Sequence, residues 1–390
     1  MKNKVHASRY NTQNDIKNII YIHFPHILNK VKENSLVLLK PNMFTEEKGY
    51  YTNPIILREL AELFKEVGAK VVIAERLNAI YEVLKHFPEI SKLCEIKSFD
   101  DLPITQMKIE NATSLRQEIG IPSILLECDF LVGVPQFRTH AGVLMSNALK
   151  NMVGILPGFT TRMVHNVGLT EAIVDLNRMR KQDLVVADLT TTIEGNYPIK
   201  GTPMHRDTIV IGDNAVAVDL IAADLSGFDS KSIDYLRLSS QAGLGPKSTN
   251  EIDILSDYND LKFDCIKAGI SVNQKNKNIS INNGNACPEC ERFCNSLYEL
   301  LHEGEPLKEE VLIATGCAII EKYLTCPSNN TILIGNCTYA HRNKGIFVEG
   351  CPPRALQALA VSEWIKNKGK VSEKHKNQCR WPEHRGEFIL

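Results

Sequence analysis

Much that would narrow the function of this chain is missing from it. Across 390 residues, 45 lysines and arginines almost balance 46 aspartates and glutamates. The formal net charge of −1 leaves no electrostatic footprint for nucleic acid or for an anionic membrane. No apolar run approaches the roughly 18–20 residues that cross a bilayer. The opening stretch MKNKVHASRYNTQND lacks the apolar core and small-residue cleavage site of a secretory signal, so the cytoplasm is the expected location. No G-x-G-x-x-G follows a predicted strand and no P-loop signature occurs, which leaves nicotinamide binding without support. Internal repeats are absent too. What is present is the composition of a globular protein, 43% hydrophobic and 23% charged, long enough for two domains.

Cysteine is the exception to this plainness. Eleven occur, an odd number in a compartment that keeps thiols reduced, so a disulfide framework is not expected. Cys94, Cys128 and Cys265 stand apart and read as small buried apolar residues. Seven of the others concentrate between Cys287 and Cys351. Cys287, Cys290 and Cys294 share one short turn. Three apolar runs then each stop at a glycine and a cysteine: Val311–Ala314 before Gly316-Cys317, Thr331–Ile334 before Gly335-Asn336-Cys337, and Ile346–Val348 before Gly350-Cys351. Such runs read as buried strands, and parallel strands deliver their last residues to the edge where α/β folds hold ligands.

Four converging thiolates suit a [4Fe–4S] cluster, and Cys287, Cys290, Cys337 and Cys351 are the expected ligands, with Cys294 and Cys317 in reserve. The spacing is neither a ferredoxin run nor a zinc ribbon. A structural zinc held by four thiolates is the alternative. Pro352-Pro353 suggests that Cys351 caps a helix, where free N–H groups would favour thiolate. His375, Cys379 and His384 in the tail have a spacing that could hold a metal, though a disordered tail is the simpler reading.

The rest of the chain alternates strand and helix. Leu36–Leu39 is a strand ending at Lys40-Pro41-Asn42. Asn53 and Pro54 begin a helix with apolar positions Ile56, Leu57, Leu60, Leu63, Phe64 and Val67, Gly68 ends it, and Lys70–Ala74 completes a βαβ unit. Further strands are expected within Ser123–Val134 and at Leu184–Asp188 and Thr208–Ile211. Helices are expected at Asn147–Val153, Thr170–Arg178 and Ala215–Leu225, with Asp213 as a cap. Glu194-Gly195 and Gly201 fall in a loop. The reading is an α/β fold: a mostly parallel sheet with flanking helices and a smaller C-terminal α/β cysteine-rich domain. Its parts are a lead-in (1–33), a pocket domain (34–249), an irregular connector or edge hairpin (250–285), the iron–sulfur domain (286–368) and a polar tail (369–390).

Polar residues recur where the predicted strands end. Lys40 and Asn42, with Arg138 and Asn151, could hold an anion. Lys150 interrupts a small and apolar stretch, and burial of such a lysine would suit general-base or anion-clamping work. His140 and His165 could serve as an acid/base pair or as metal ligands.

As a set, VLLKPNM, DFLVGVPQFRTHAGVLMSNALKNMVGILPG, the separate His165, and EGNYPIKG followed by IGDNAVAVDLIAADLSG resemble the family called domain of unknown function 362, over residues 35–245. The family typically has lysine at the position of Arg138. The resemblance implies that Lys40, Asn42, His140, Lys150, Asn151 and His165 line one pocket; it brings no activity. GNC…FVEGCPP also looks like cluster-binding segments in small subunits of respiratory complex I and hydrogenases. A remote likeness in layout to the lactate racemase family keeps a non-redox reaction in view. The expected function is a cluster-dependent oxidoreductase acting on an anionic small molecule, with a redox partner protein. The alternatives are a lyase or isomerase using the cluster as Lewis acid, or a non-catalytic metal-binding or maturation protein.

Overall fold

The computed structural model describes residues 2–11, 15–158, 160–268, 278–319 and 324–375. In chain order the strands are β1 (Asn3–Arg9), β2 (Leu36–Pro41), β3 (Lys70–Glu75) and β4 (Glu95–Ser98), then β5 (Ile104–Met107) and β6 (Ile119–Pro122), which form a ribbon of their own. There follow β7 (Phe130–Val134), β8 (Gln136–His140), β9 (Leu144–Ser146), β10 (Leu184–Asn196), β11 (Lys200–Gly212) and β12 (Ile252–Ile254). The C-terminal region adds β13 (Ile279–Asn283), β14 (Val311–Thr315), β15 (Thr331–Ile334) and β16 (Ile346–Val348).

The large sheet runs β12-β1-β11-β10-β7-β2-β3-β4, with β8 and β9 attached beside β10. Its centre is parallel. Continuous apolar runs such as Val37-Leu38-Leu39 arise because both faces are covered. Val37 and Leu39 point into one core and Leu38 into the other; Val71 and Ile73 part from Val72 and Ala74 in the same way. The predicted βαβ unit is present. Asn53 accepts the Ile55 N–H at 3.0 Å, Pro54 opens the helix Pro54–Glu66, and Gly68 takes a positive φ beyond it.

Four expectations change. Residues 1–33 are no mere lead-in, since β1 lies inside the sheet between β11 and β12. The connector 250–285 supplies edge strands to two different sheets, β12 to the large one and β13 to the small one. Glu194, Gly195 and Gly201 lie in the long β10–β11 hairpin. Its outer half is polar, which conceals it from an apolar pattern: buried Glu194 accepts from Thr192, Arg206 and the Ile266 N–H at 2.7, 2.9 and 2.8 Å. Asn214 rather than Asp213 caps the helix Ala215–Leu225, while Asp213 accepts the Lys4 N–H at 2.9 Å.

The small sheet β13-β14-β15-β16 is wholly parallel, and the helices Pro288–His302 and Gln357–Lys366 share its core. No helix among the described residues is long and apolar enough to cross a membrane.

Candidate functional site

A cavity of about 650 Å3 opens at the carboxyl ends of β2, β3 and β8. Asn42, Arg138, His140, Lys150, Asn151 and His165 all line it. Residues more than a hundred positions apart thus meet at the sheet edge where α/β folds hold ligands.

Lys40 departs from its expected role. It is fully buried behind the wall, and its ammonium donates to Glu75 at 2.8 Å, Asn151 Oδ1 at 2.9 Å and the Pro41 carbonyl at 3.1 Å. Three donors meet three acceptors, so none is left for an anion. Asn151 returns the contact by donating to the Lys40 carbonyl at 3.0 Å. Lys40 and Asn151 are braces.

Lys150 is placed oppositely. Among the described residues no acceptor lies within hydrogen-bond distance of its ammonium, and Glu75, the carboxylate of the cavity wall, belongs to Lys40. Burial, then the Arg138 charge, lowers Lys150 to about 8. Asp219 fixes the turn that carries it, accepting the Ala148 and Leu149 N–H groups at 2.8 and 3.2 Å. Burial pushes that carboxyl up to about 7.

Arg138 is buried among neutral partners. Its guanidinium donates to the Tyr197 hydroxyl, to the Tyr50 carbonyl at 2.6 Å and to Gln136 at 2.9 Å, and stacks over the Tyr197 ring.

Both histidines are held neutral. His140 Nδ1 accepts the Gly142 N–H at 2.9 Å, so in the neutral ring the proton sits on Nε2. Burial, then Lys150 and His165, keeps His140 well below its ordinary range. His165, on the helix Thr160–Val167, is lowered to about 3 by burial, Lys150 and Arg354, while Nδ1 is buried without a partner. A pair that exchanges protons near neutral pH does not fit these surroundings. Among the described residues no three His, Cys, Asp or Glu side chains are set to grip a single metal ion.

The second feature is the edge of the small sheet. Every strand there delivers a cysteine past its carboxyl end: Cys287 after β13, Cys317 after β14, Cys337 after β15 and Cys351 after β16. The strand before Cys287 was not legible, because Ile279–Asn283 is mostly polar. Cys290 lies one turn into the helix Pro288–His302 and bonds to Cys287. Cys290 also senses Cys351, which in turn senses Cys287 and Cys337. Cys317 instead faces the Asn285 carbonyl at 4.0 Å, and Cys294 is buried beneath. Gly335 has φ +86°, and a Cβ there would stand 3.1 Å from the Cys290 sulfur.

The helix-capping argument holds for a different cysteine. Cys287 is the N-cap, with Pro288 in the first turn, and the Cys290 hydrogen bond lowers it to about 6. Cys351 caps nothing, because Pro353 disfavours helical backbone at Pro352 and the next helix begins only at Gln357. Burial, then Cys287 and Cys337, pushes Cys351 up to about 11.

Cavity and sulfur edge share a wall. The Cys351 N–H donates to the His165 carbonyl at 2.5 Å, and the Leu169 N–H donates to the Cys351 carbonyl at 3.0 Å. The Pro352 carbonyl accepts from the His165 ring, Arg354 lines the cavity, and Asn336 donates to the Asn166 carbonyl at 2.9 Å. Glu75, Asp219, Tyr197 and Arg354 are site residues that sequence reasoning missed. Asp219, one of two aspartates in the otherwise apolar helix Ala215–Leu225, was the best available signal.

Residues 37–224 match the family described as Domain of unknown function (DUF362). That match spans just under half of the chain. The thylakoid-associated protein sll1697 of Synechocystis sp. is 22% identical over 248 residues, covering 60% of this chain and 77% of that one. A solved structure, the lactate racemase apoprotein of Thermoanaerobacterium thermosaccharolyticum, matches with a TM-score of 0.39 and 12% identity over 93% of this chain and 90% of its own. The DUF362 segment holds the cavity's large-domain wall, and the cysteines lie beyond it.

Proposed function

We propose that this protein is a [4Fe–4S]-dependent oxidoreductase acting on an anionic small molecule bound in the cavity. The observation that carries the reading is the shared wall: a cysteine of the sulfur edge and a histidine of the cavity are joined through the main chain. Cys287, Cys290, Cys337 and Cys351 would hold the cluster, which supplies one-electron transfer when bound. The chemistry of the donor set supports it, being four thiols brought to one edge by a helical turn and two strand ends.

The chain's own residues account for the anion. Arg138 and Lys150 bring positive charge into a space where no carboxylate answers it. His140 offers its Nε2–H as a neutral donor, and Lys150 is the group able to take or give a proton near neutral pH. Arg354 and Leu356 line the space from the small domain.

Anaerobic loading with iron and sulfide, followed by absorption and paramagnetic resonance spectroscopy, is the test. A brown protein that gains a paramagnetic signal on reduction is expected. Colourless protein with stoichiometric zinc would refute the reading.

A further inference from the structure

We propose that Lys150 is a nucleophile that captures the carbonyl group of a 2-oxo acid as an imine. The inference rests on the cavity being an anion site and deepens that reading by naming the substrate's second functional group. A lysine amine attacks carbonyl carbon only when unprotonated and unencumbered. Lys40 and Lys150 lie at the same sheet edge, and the geometry separates them. Lys40 is triply hydrogen-bonded, whereas Lys150 meets no acceptor among the described residues. Asp219 holds the backbone of its turn, so the amine is the free end of a fixed support.

The groups facing Lys150 are Arg138 and His140 on β8 and His165 on its helix, with Glu75 and Arg76 on the β3 side and Arg354 from the small domain. Glu75 is neutralised by Lys40, so the net surroundings favour the neutral amine. Arg138 stays cationic and attracts the carboxylate of the ligand. His140 Nε2–H is available to the carbonyl oxygen. The step balances without a co-reactant. The amine nitrogen bonds to the carbonyl carbon as one of its protons passes to the oxygen, and the second follows as the C–O bond breaks, so that water leaves and the C=N bond forms.

The test uses the full chain with 2-oxobutyrate and sodium cyanoborohydride, which reduces an imine to a stable amine, followed by peptide mass mapping. A reduced adduct on Lys150 is expected. Butanone, which lacks the carboxylate, should react about tenfold more slowly, and butyrate should slow the reaction by competition. Adduct formation should rise as pH passes through about 8. Mapping on the unsubstituted protein makes the result independent of whether a Lys150→Arg variant folds. Adduct confined to surface lysines, butanone reacting as fast as 2-oxobutyrate, or no adduct at all would each overturn the inference. None of these outcomes depends on iron. Adduct in a colourless zinc protein would sink the redox reading alone, and a brown, reducible protein without adduct would sink this one alone.

Discussion

The cavity and the sulfur edge both sit at the carboxyl ends of parallel strands, yet they are built differently. Around the cavity the framework is braced by the chain, Lys40 by Glu75 and Asn151 and the Lys150 turn by Asp219, while the charges of Arg138 and Lys150 are left unanswered. At the sulfur edge the strands give way to glycines at positive φ and to the 3-10 stretch Asn336–Lys344, with three of the four proposed ligand cysteines exposed. One site is braced by protein groups. On the proposed reading the other would be completed by a cluster, since thiols that raise one another's proton affinity gain most from a cation in their midst.

The contrast can be broken most severely at the thiols. Alanine at Cys287, Cys290, Cys337 or Cys351 should abolish the visible absorption of the loaded protein, whereas alanine at Cys317 should leave it. Loss at Cys317 together with retention at Cys290 would redraw the ligand set. A second test separates the two lysines. Lys40→Met strands Glu75 in the interior and should cost about 3–5 kcal/mol in urea unfolding. Lys150→Met removes a charge that lacks a partner and should not lower stability. Equal losses would show that the lysines are not in opposed roles.

A smaller effect is expected at Gly335. Alanine there meets both the positive φ and the Cys290 sulfur at 3.1 Å, so about 1–3 kcal/mol should be lost and less iron retained. The mildest test is pH. His165 titrates at about 3 folded and near its ordinary 6.5 unfolded. The unfolded chain takes the proton first, so this contribution to stability falls as pH drops from about 6.5 to about 3. Urea midpoints at pH 7 and pH 5 should differ less in His165→Gln than in the parent.

Local features of the fold were legible, and pairings across the chain were not. Asn53-Pro54 and Gly68 bounded a helix because capping chemistry acts within a few residues. The apolar runs marked strands because both sheet faces are covered. Lys150 was likewise visible as a charge interrupting a small and apolar stretch, whereas its neighbours in the cavity were grouped by the motif resemblance. The role of Lys40 depended on Glu75, thirty-five positions on, and on Asn151, a hundred and eleven positions on. The identical pattern of a lysine at a strand end therefore could not separate a brace from a free amine. β1 stayed hidden because its partners, β11 and β12, lie some two hundred residues away.

The two main-chain bonds of Cys351 tie the loop that would grip iron to the last turn of the helix Thr160–Val167 and to the first residue of the helix Leu169–Met179. A loop that tightens on metal must pull on the carbonyl of His165, and one that slackens must release it. If the sulfur edge holds the proposed cluster, its occupancy and the shape of the small-molecule chamber are mechanically linked, and withholding iron should alter what the chamber binds.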